Sequence, residues 1–211
     1  MILTLPEAEK LLNKYGIPFV EEALVRNKQT AITIADQIGL PVVMKAHGFV
    51  HKTEHGAIRT NIGTLDAVRE TFDRLKTVQN AKKLRKTEGI LIQKQVEGIE
   101  LIIGVAQNAQ FGKVISFGLG GVFVELFKDI SFRALPITEY DASEMIKDLK
   151  YGKILDGYRK IKPANTKKLK KIIVAVAALA EKEHVIEMDI NPLFVNGDAI
   201  TAADVRILLG D

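Results

Sequence analysis

The sequence predicts an α+β protein of two small lobes, and three observations lead there. Stretches with apolar residues at helical spacing alternate with short apolar runs of strand length. One such run, "GILIQKQV" (Gly89 to Val96), passes into a polar hinge near mid-chain. The chain closes on two apolar runs flanking "NGD" (Asn196 to Asp198), the pattern of a hairpin. A chain of 211 residues is long enough to bury a core as one domain or as two small lobes.

Thr4 and Glu7 have capping-box spacing, and Ala8, Leu11, Leu12 and Tyr15 follow at helical intervals until Gly16 and Pro18 stop the helix. Residues 19–25 read as a strand. Ala31, Ile34, Ala35 and Ile38 form one helical face over 28–38, closed by Gly39. "PVVMKA" (Pro41 to Ala46) is a short buried strand, followed by a loop, a strand near 57–62 and a helix near 65–78. These make a first lobe over residues 1–88. A second, over 89–211, takes strands at 89–96, 99–107 and 113–117, a glycine-rich segment, helices at 139–149 and 166–183, and the final hairpin. No internal repeat or low-complexity segment interrupts them.

Composition narrows the function classes. With 47% apolar and 27% charged residues, the chain reads as globular. It lacks an apolar run of the roughly 18 residues needed to span a membrane. "MILTLPEAEKLL" carries no basic leader, so a cytoplasmic protein is expected, with no membrane partner. The absence of cysteine excludes disulfides and thiolate metal sites. The net charge of +4 includes two basic clusters, "KKLRK" (Lys82 to Lys86) and "KKLKK" (Lys167 to Lys171). The second lies on a helical pattern and reads as a solvated face. Neither has aromatic interleaving, so no nucleic-acid partner is expected.

Four groups of residues carry possible chemistry. Pairing Val195 with Asp198 across an Asn-Gly turn sets Asp189 opposite Asp204, with Asn191 on the same strand face. Two opposed aspartates repel, and a divalent cation relieves the repulsion; three oxygen donors suit Mg²⁺. The bland alternative is a solvated edge hairpin, with Pro192 bulging the strand. Lys45 ends an otherwise apolar strand, where its ammonium either reaches the surface or meets an anion in a cleft. In "FGLGGVFVELFKDISFR" (Phe117 to Arg133), Gly118, Gly120 and Gly121 permit an anion-cradling turn or a plain tight turn. Glu125, Asp129 and Arg133, four apart, line a polar helix face or the same cleft. Last, "VHKTEHG" holds two of the four histidines, His51 and His55, in a loop close to Lys45. Gly48 and Gly56 argue against a helix there, which weakens a zinc reading and leaves an acid, base or nucleophile.

Taken in order, "AEKLLNKYGIP", "AITIADQIGLPVVMK", "HKTEHG", "FGLGGVFVELFKDISFR" and "EMDINPLF...AADVRI" resemble the ATP-grasp β subunit of ADP-forming acyl-CoA (acetyl-CoA) synthetases, relatives of succinyl-CoA ligases. The resemblance runs from about residue 6 to 209. It implies two ATP-grasp lobes with ADP or ATP between them, and interconversion of acyl-CoA, ADP and phosphate with acid, CoA and ATP. It implies that Lys45 contacts the phosphates and that the strand and hinge residues Gln93, Lys94 and Val96 hold adenine. Glu100 sits near the ribose, and Gly120, Gly121 and Arg133 near phosphate. Asn191 and Asp204 bind Mg²⁺, with Asp189 beside them in the catalytic group. His51 matches the histidine that carries phosphate in relay to the nucleotide. It further implies a CoA-binding α subunit, in an α2β2 complex, as the partner that completes the reaction. Thr53 to Ala57 depart from the family's glycine-richer loop. Two other readings stand beside this one: a succinyl-CoA ligase β subunit, and a nucleotide-binding scaffold that no longer relays phosphate.

Overall fold

The computed structural model describes residues 1–47, 56–81, 89–121, 128–157 and 159–210. The chain divides into two compact units. A central unit takes Val20–Val96; a terminal unit takes Met1–Phe19 with Glu97–Asp211.

In the central unit, β1 (Glu22–Val25), α2 (Lys28–Ile38), β2 (Val42–Ala46), β3 (Ile58–Ile62), α3 (Leu65–Ala81) and β4 (Ile90–Lys94) build a four-stranded sheet in the order β1-β4-β2-β3, every pair antiparallel. α2 begins on Asn27, whose side chain accepts the Thr30 N–H at 2.8 Å, and ends at Gly39. The expected helical face is the one buried: Ala31, Ala35 and Ile38 meet Val68, Phe72 and Leu75 of α3 over Val42, Met44 and Ala46 of β2 and Ile90 and Ile92 of β4. Each fully buried large apolar side chain there contributes about 1.5–3 kcal/mol. Strand alternation turns Val43, Lys45, Leu91 and Gln93 to the opposite face.

The terminal unit holds α1 (Leu5–Lys14), β5 (Ile99–Asn108), β6 (Gly112–Leu119), β7 (Ile130–Ala134), α4 (Glu139–Lys147), a 3₁₀ turn (Gly152–Asp156), α5 (Thr166–Lys182), β8 (Val185–Asn196), β9 (Ala199–Ala202) and β10 (Val205–Leu209). Its six-stranded sheet runs β10-β8-β5-β6-β7, with β9 paired to β8. Ala8 and Leu12 of α1, Ala142 and Met145 of α4, and the Leu169, Ile173, Val176 and Ala180 face of α5 share one core with Leu101, Ile103, Ile115, Phe117, Met188 and Ile190 of the sheet. Glu7 closes the first turn of α1, its carboxylate accepting the Thr4 N–H at 2.8 Å.

Two expectations are corrected here. The boundary expected at 88/89 is replaced by one at 19/20 and one at 96/97, because pairing and packing override chain order. β4 is hydrogen-bonded between β1 and β2 and belongs to the central unit. The chain start runs along β10, with Leu3 N–H donating to the Ile207 carbonyl at 3.0 Å, so α1 belongs to the terminal unit.

The hairpin register is also shifted by two residues. Asn196 pairs with Ala199, so the two turn residues are Gly197 and Asp198, with Gly197 at φ +63°. Glycine at the first central position with positive φ is the II′ pattern, where the expected Asn-Gly turn is type I′. Asp189 therefore stands opposite Arg206, and Asn191 meets Asp204, its N–H donating to the Asp204 carbonyl at 3.2 Å.

Candidate functional site

Helices cover one face of the terminal sheet, and its other face carries the acidic residues. Opposite partners in an antiparallel ladder share a face. One row across the strands is Arg206, Asp189, Gly104, Ser116 and Phe132. The next row begins with Asp204 and Asn191. There β8 bulges: Leu101 pairs with Leu193 and Ile103 with Ile190, so Ile102 faces both Asn191 and Pro192. The bulge resets the alternation. Met188 and Ile190 before it and Leu193 and Val195 after it are all buried, while Asp189 and Asn191 stay on the solvent side.

Asp189, Asn191 and Asp204 thus do gather, with the two acids diagonal rather than directly opposed. Although solvent reaches Asp189, the chain packed around its carboxyl raises its pKa above the ordinary value. The Asp204 and Glu187 carboxylates raise it further and Arg206 opposes them. Repulsion between Asp189 and Asp204 is therefore present, and a cation would relieve it. Among the described residues no group of three or more His, Cys, Asp and Glu forms a metal site, so the donor set is two carboxylates and one amide oxygen.

The glycine-rich segment has a role that the sequence does not reveal. Gly118 lies within β6, opposite Ile130. Gly120 N–H donates to the Glu100 carbonyl at 2.7 Å, and a Cβ on Gly120 would lie 3.0 Å from the Glu100 carbonyl carbon. Gly121, at φ +60°, would set a Cβ 2.6 Å from Glu100 Oε2. The two glycines form a seat for Glu100, whose carboxyl is pushed up by burial. Arg133 is not brought to them. It stands on β7 opposite Ile115, five residues along the ladder from Gly120 or about 17 Å of strand rise. Its guanidinium donates to Asp148 at 2.7 Å. Asp129, expected with it on a polar helix face or in the same cleft, is buried and accepts the Lys150 and Tyr151 N–H groups, both at 2.9 Å.

On the central sheet, Lys45 is 5% exposed and Gln93 2%. Gln93 Nε2 donates to Glu22 Oε2 at 2.6 Å. In the hinge, the Lys94 N–H donates to the Glu21 carbonyl at 2.9 Å and the Gln95 N–H to the Pro41 carbonyl at 3.3 Å. The backbone donor of Lys94, one of the residues expected to hold adenine, is thereby used inside the unit, as is that of Gln95 between it and Val96.

Gln79 is a residue that sequence reading passes over. Buried on α3, it donates to the His47 carbonyl at 3.1 Å and the Gly89 carbonyl at 2.9 Å, and the His47 N–H also donates to Gly89 at 3.1 Å. One amide thus staples the end of β2, two residues past Lys45, to the start of β4. The available signal was a glutamine in line with Val68, Phe72 and Leu75 on the apolar face of α3. His51, His55, Glu125 and the Lys82 to Lys86 cluster lie outside the described residues.

The sequence matches the profile of the ATP-grasp domain over residues 1–209. The chain belongs to the ATP-grasp family. Within it, the acetate–CoA ligase (ADP-forming) I subunit beta of Pyrococcus furiosus is 41% identical, with 97% of this chain and 90% of that one covered. Acetate–CoA ligase (ADP-forming) II of Archaeoglobus fulgidus is 43% identical over 100% of this chain but only 31% of its own length, so the ATP-grasp domain spans about a third of that relative. The acetyl-coenzyme A synthetase 1 of Ca. Korarchaeum cryptofilum, solved with coenzyme A, Ca-AMPCP and HgCl⁺, superposes at a TM-score of 0.88 with 35% identity, covering 99% of this chain and 93% of that one. A second structure of that synthetase holds coenzyme A and Mg-AMPPCP, its phosphohistidine segment pointing towards the nucleotide-binding site. The α+β class and the ATP-grasp fold read from the sequence are borne out. Among the described residues, no helix is long and apolar enough to cross a membrane.

Proposed function

We propose that this chain is the nucleotide-binding part of an ADP-forming acyl-CoA synthetase, which converts acyl-CoA, ADP and phosphate into free acid, CoA and ATP. The observation that carries the reading is the group Asp189, Asn191 and Asp204 on the open face of an ATP-grasp sheet. Hard oxygen donors with mutual repulsion fit Mg²⁺, which keeps waters and shares phosphate ligands. When bound, the ion neutralises charge on the transferring phosphoryl group.

The chain's own side chains then divide the remaining work. Lys45, fixed on β2, directs its ammonium to the nucleotide phosphates. The Gln93 to Val96 stretch takes adenine, and Glu100, seated by Gly120 and Gly121, takes the ribose. We assign Arg133 no part, since Asp148 holds its guanidinium. His51 relays the phosphoryl group. The N–P bond of its phosphohistidine breaks as an ADP β-phosphate oxygen forms the new O–P bond, and neutral imidazole is left. The CoA site and the first phosphohistidine belong to a CoA-binding α subunit in an α2β2 complex, or to the rest of a longer chain.

The test is calorimetric titration with ADP, ATP and GDP, with and without Mg²⁺, on the chain and on its complex with the CoA-binding subunit. Mg²⁺-dependent nucleotide binding supports the reading, and its absence from both preparations overturns it. His51→Ala should bind Mg-ADP as the unaltered chain does yet form no ATP. Full turnover by that variant removes His51 from the relay.

A further inference from the structure

Charge is distributed very unevenly along this chain. Residues 150–171 hold nine of the 30 lysines and arginines and one of the 26 acids. The remainder therefore carries 21 basic against 25 acidic residues, so the whole excess of positive charge lies in this one stretch. The fold gathers it into a corner of the terminal unit made of the 3₁₀ turn, the following loop and the first half of α5. Ala164 N–H donates to the Leu155 carbonyl at 2.8 Å and Asn165 N–H to the Gly197 carbonyl at 3.0 Å, binding the loop to the 3₁₀ turn and to the hairpin tip. Lys150, Lys153, Arg159, Lys160, Lys162, Lys167, Lys168 and Lys171 are exposed.

This concentration opposes local stability. Lys167 and Lys171 are spaced i,i+4, and Lys167 with Lys170 and Lys168 with Lys171 i,i+3, like-charge spacings that each cost about 0.2–0.5 kcal/mol. The first turn of α5 has no acidic residue of its own, so Lys167 opposes the helix dipole, while Lys168 lies 3.7 Å from the Asp198 carboxylate of the hairpin tip. Tyr151, 48% exposed between Lys150 and Lys153, adds an aromatic of the kind enriched in protein interfaces. Eight of the nine cations are lysine, the point charge suited to steering, whereas planar bidentate phosphate recognition favours arginine.

We propose that this basic corner is the surface on which an acidic face of the CoA-binding subunit docks. The inference rests on the functional reading above, which supplies the partner. Unlike charges steer the two surfaces together and set their orientation, and the exposed tyrosine anchors the contact.

The experiment reverses four exposed lysines together, K153E, K160E, K167E and K171E, and compares the variant with an equal reversal elsewhere, K10E, R74E, K128E and K182E. Association with the CoA-binding subunit is followed by stopped flow across ionic strength. The corner variant should associate at least tenfold more slowly at low salt, with a flattened salt dependence, while Mg-ADP affinity is unchanged. Its melting temperature should hold or rise, because repulsion in α5 is relieved. Zero-length carbodiimide cross-links from Lys153, Lys160 or Lys167 to partner carboxylates should form in the unaltered complex and vanish in the variant. Equal slowing in both variants, or none in either, overturns the proposal. So does salt-dependent binding of short duplex DNA that the corner reversal abolishes, which assigns the corner to nucleic acid. If the unaltered chain binds Mg-ADP but not the CoA-binding subunit, the docking surface falls and the nucleotide reading stands. Failure of Mg-ADP binding removes the reading beneath both.

Discussion

On the terminal sheet Asp189 and Asn191 face solvent beside Asp204, while on the central sheet Lys45 and Gln93 are enclosed among Val43, Leu91 and their neighbours. An acidic group that water reaches can exchange its cation, and its mutual repulsion keeps it ready to take one. A buried ammonium has no such freedom. It is costly to desolvate and is retained where it meets a fixed anion or acceptor. The two sheet faces therefore differ in what they hold: repelling acids open to solvent on one, and a buried ammonium on the other.

Breaking the open face should have the largest effect. Asp204→Ala should remove the Mg²⁺-dependent part of ADP affinity, about 100-fold for a loss near 3 kcal/mol, with the circular dichroism spectrum unchanged. Unaltered affinity in Mg²⁺ would refute that role. Lys45→Met tests the enclosed side. ADP affinity should fall about 10–100-fold, the loss of a charge-assisted hydrogen bond, while the circular dichroism spectrum stays that of the unaltered chain. A sharp fall in melting temperature would make Lys45 a structural residue.

Smaller effects sharpen the contrast. Gln79→Met leaves the His47 and Gly89 carbonyls without the stapling amide, and urea unfolding should show a loss of about 1–3 kcal/mol. Gly197→Ala forces a side chain into the left-handed region at about 1–2 kcal/mol, and an unchanged stability would contradict the II′ turn. The smallest effect concerns pH. Because the folded pKa of Asp189 is raised, mainly by burial and then by Asp204, its contribution is fully present below the unfolded carboxylate pKa. It is lost as pH rises through the folded value. Asp189→Asn should flatten that decline without Mg²⁺, as pH-dependent melting would show; an identical profile would mean no raised pKa.

Part of the site was legible because its residues are close in sequence or fixed by strand alternation. Asp189 and Asn191 share a face in any β8. The bulge is also written there, since the buried positions change parity from Met188 and Ile190 to Leu193 and Val195 around Asn191 and Pro192. The register of Asp204 was not legible. Asn-Gly-Asp admits two turns of equal length, and the pairing of Asn196 with Ala199 and the positive φ of Gly197 separate them. Four-residue spacing left a helix face open for Asp129 and Arg133, whereas pairing with β6 makes residues 130–134 a strand.

The sequence by itself determined most of the elements, the α+β class and the family, since these depend on local spacing and side-chain chemistry. Only the tertiary structure decided which strands share a sheet, which unit owns α1 and β4, that Gly120 and Gly121 seat Glu100, and that Gln79 closes the strand ends behind Lys45. Each depends on contacts between residues far apart in the chain, and local propensity has no information about which distant backbone will supply the partner.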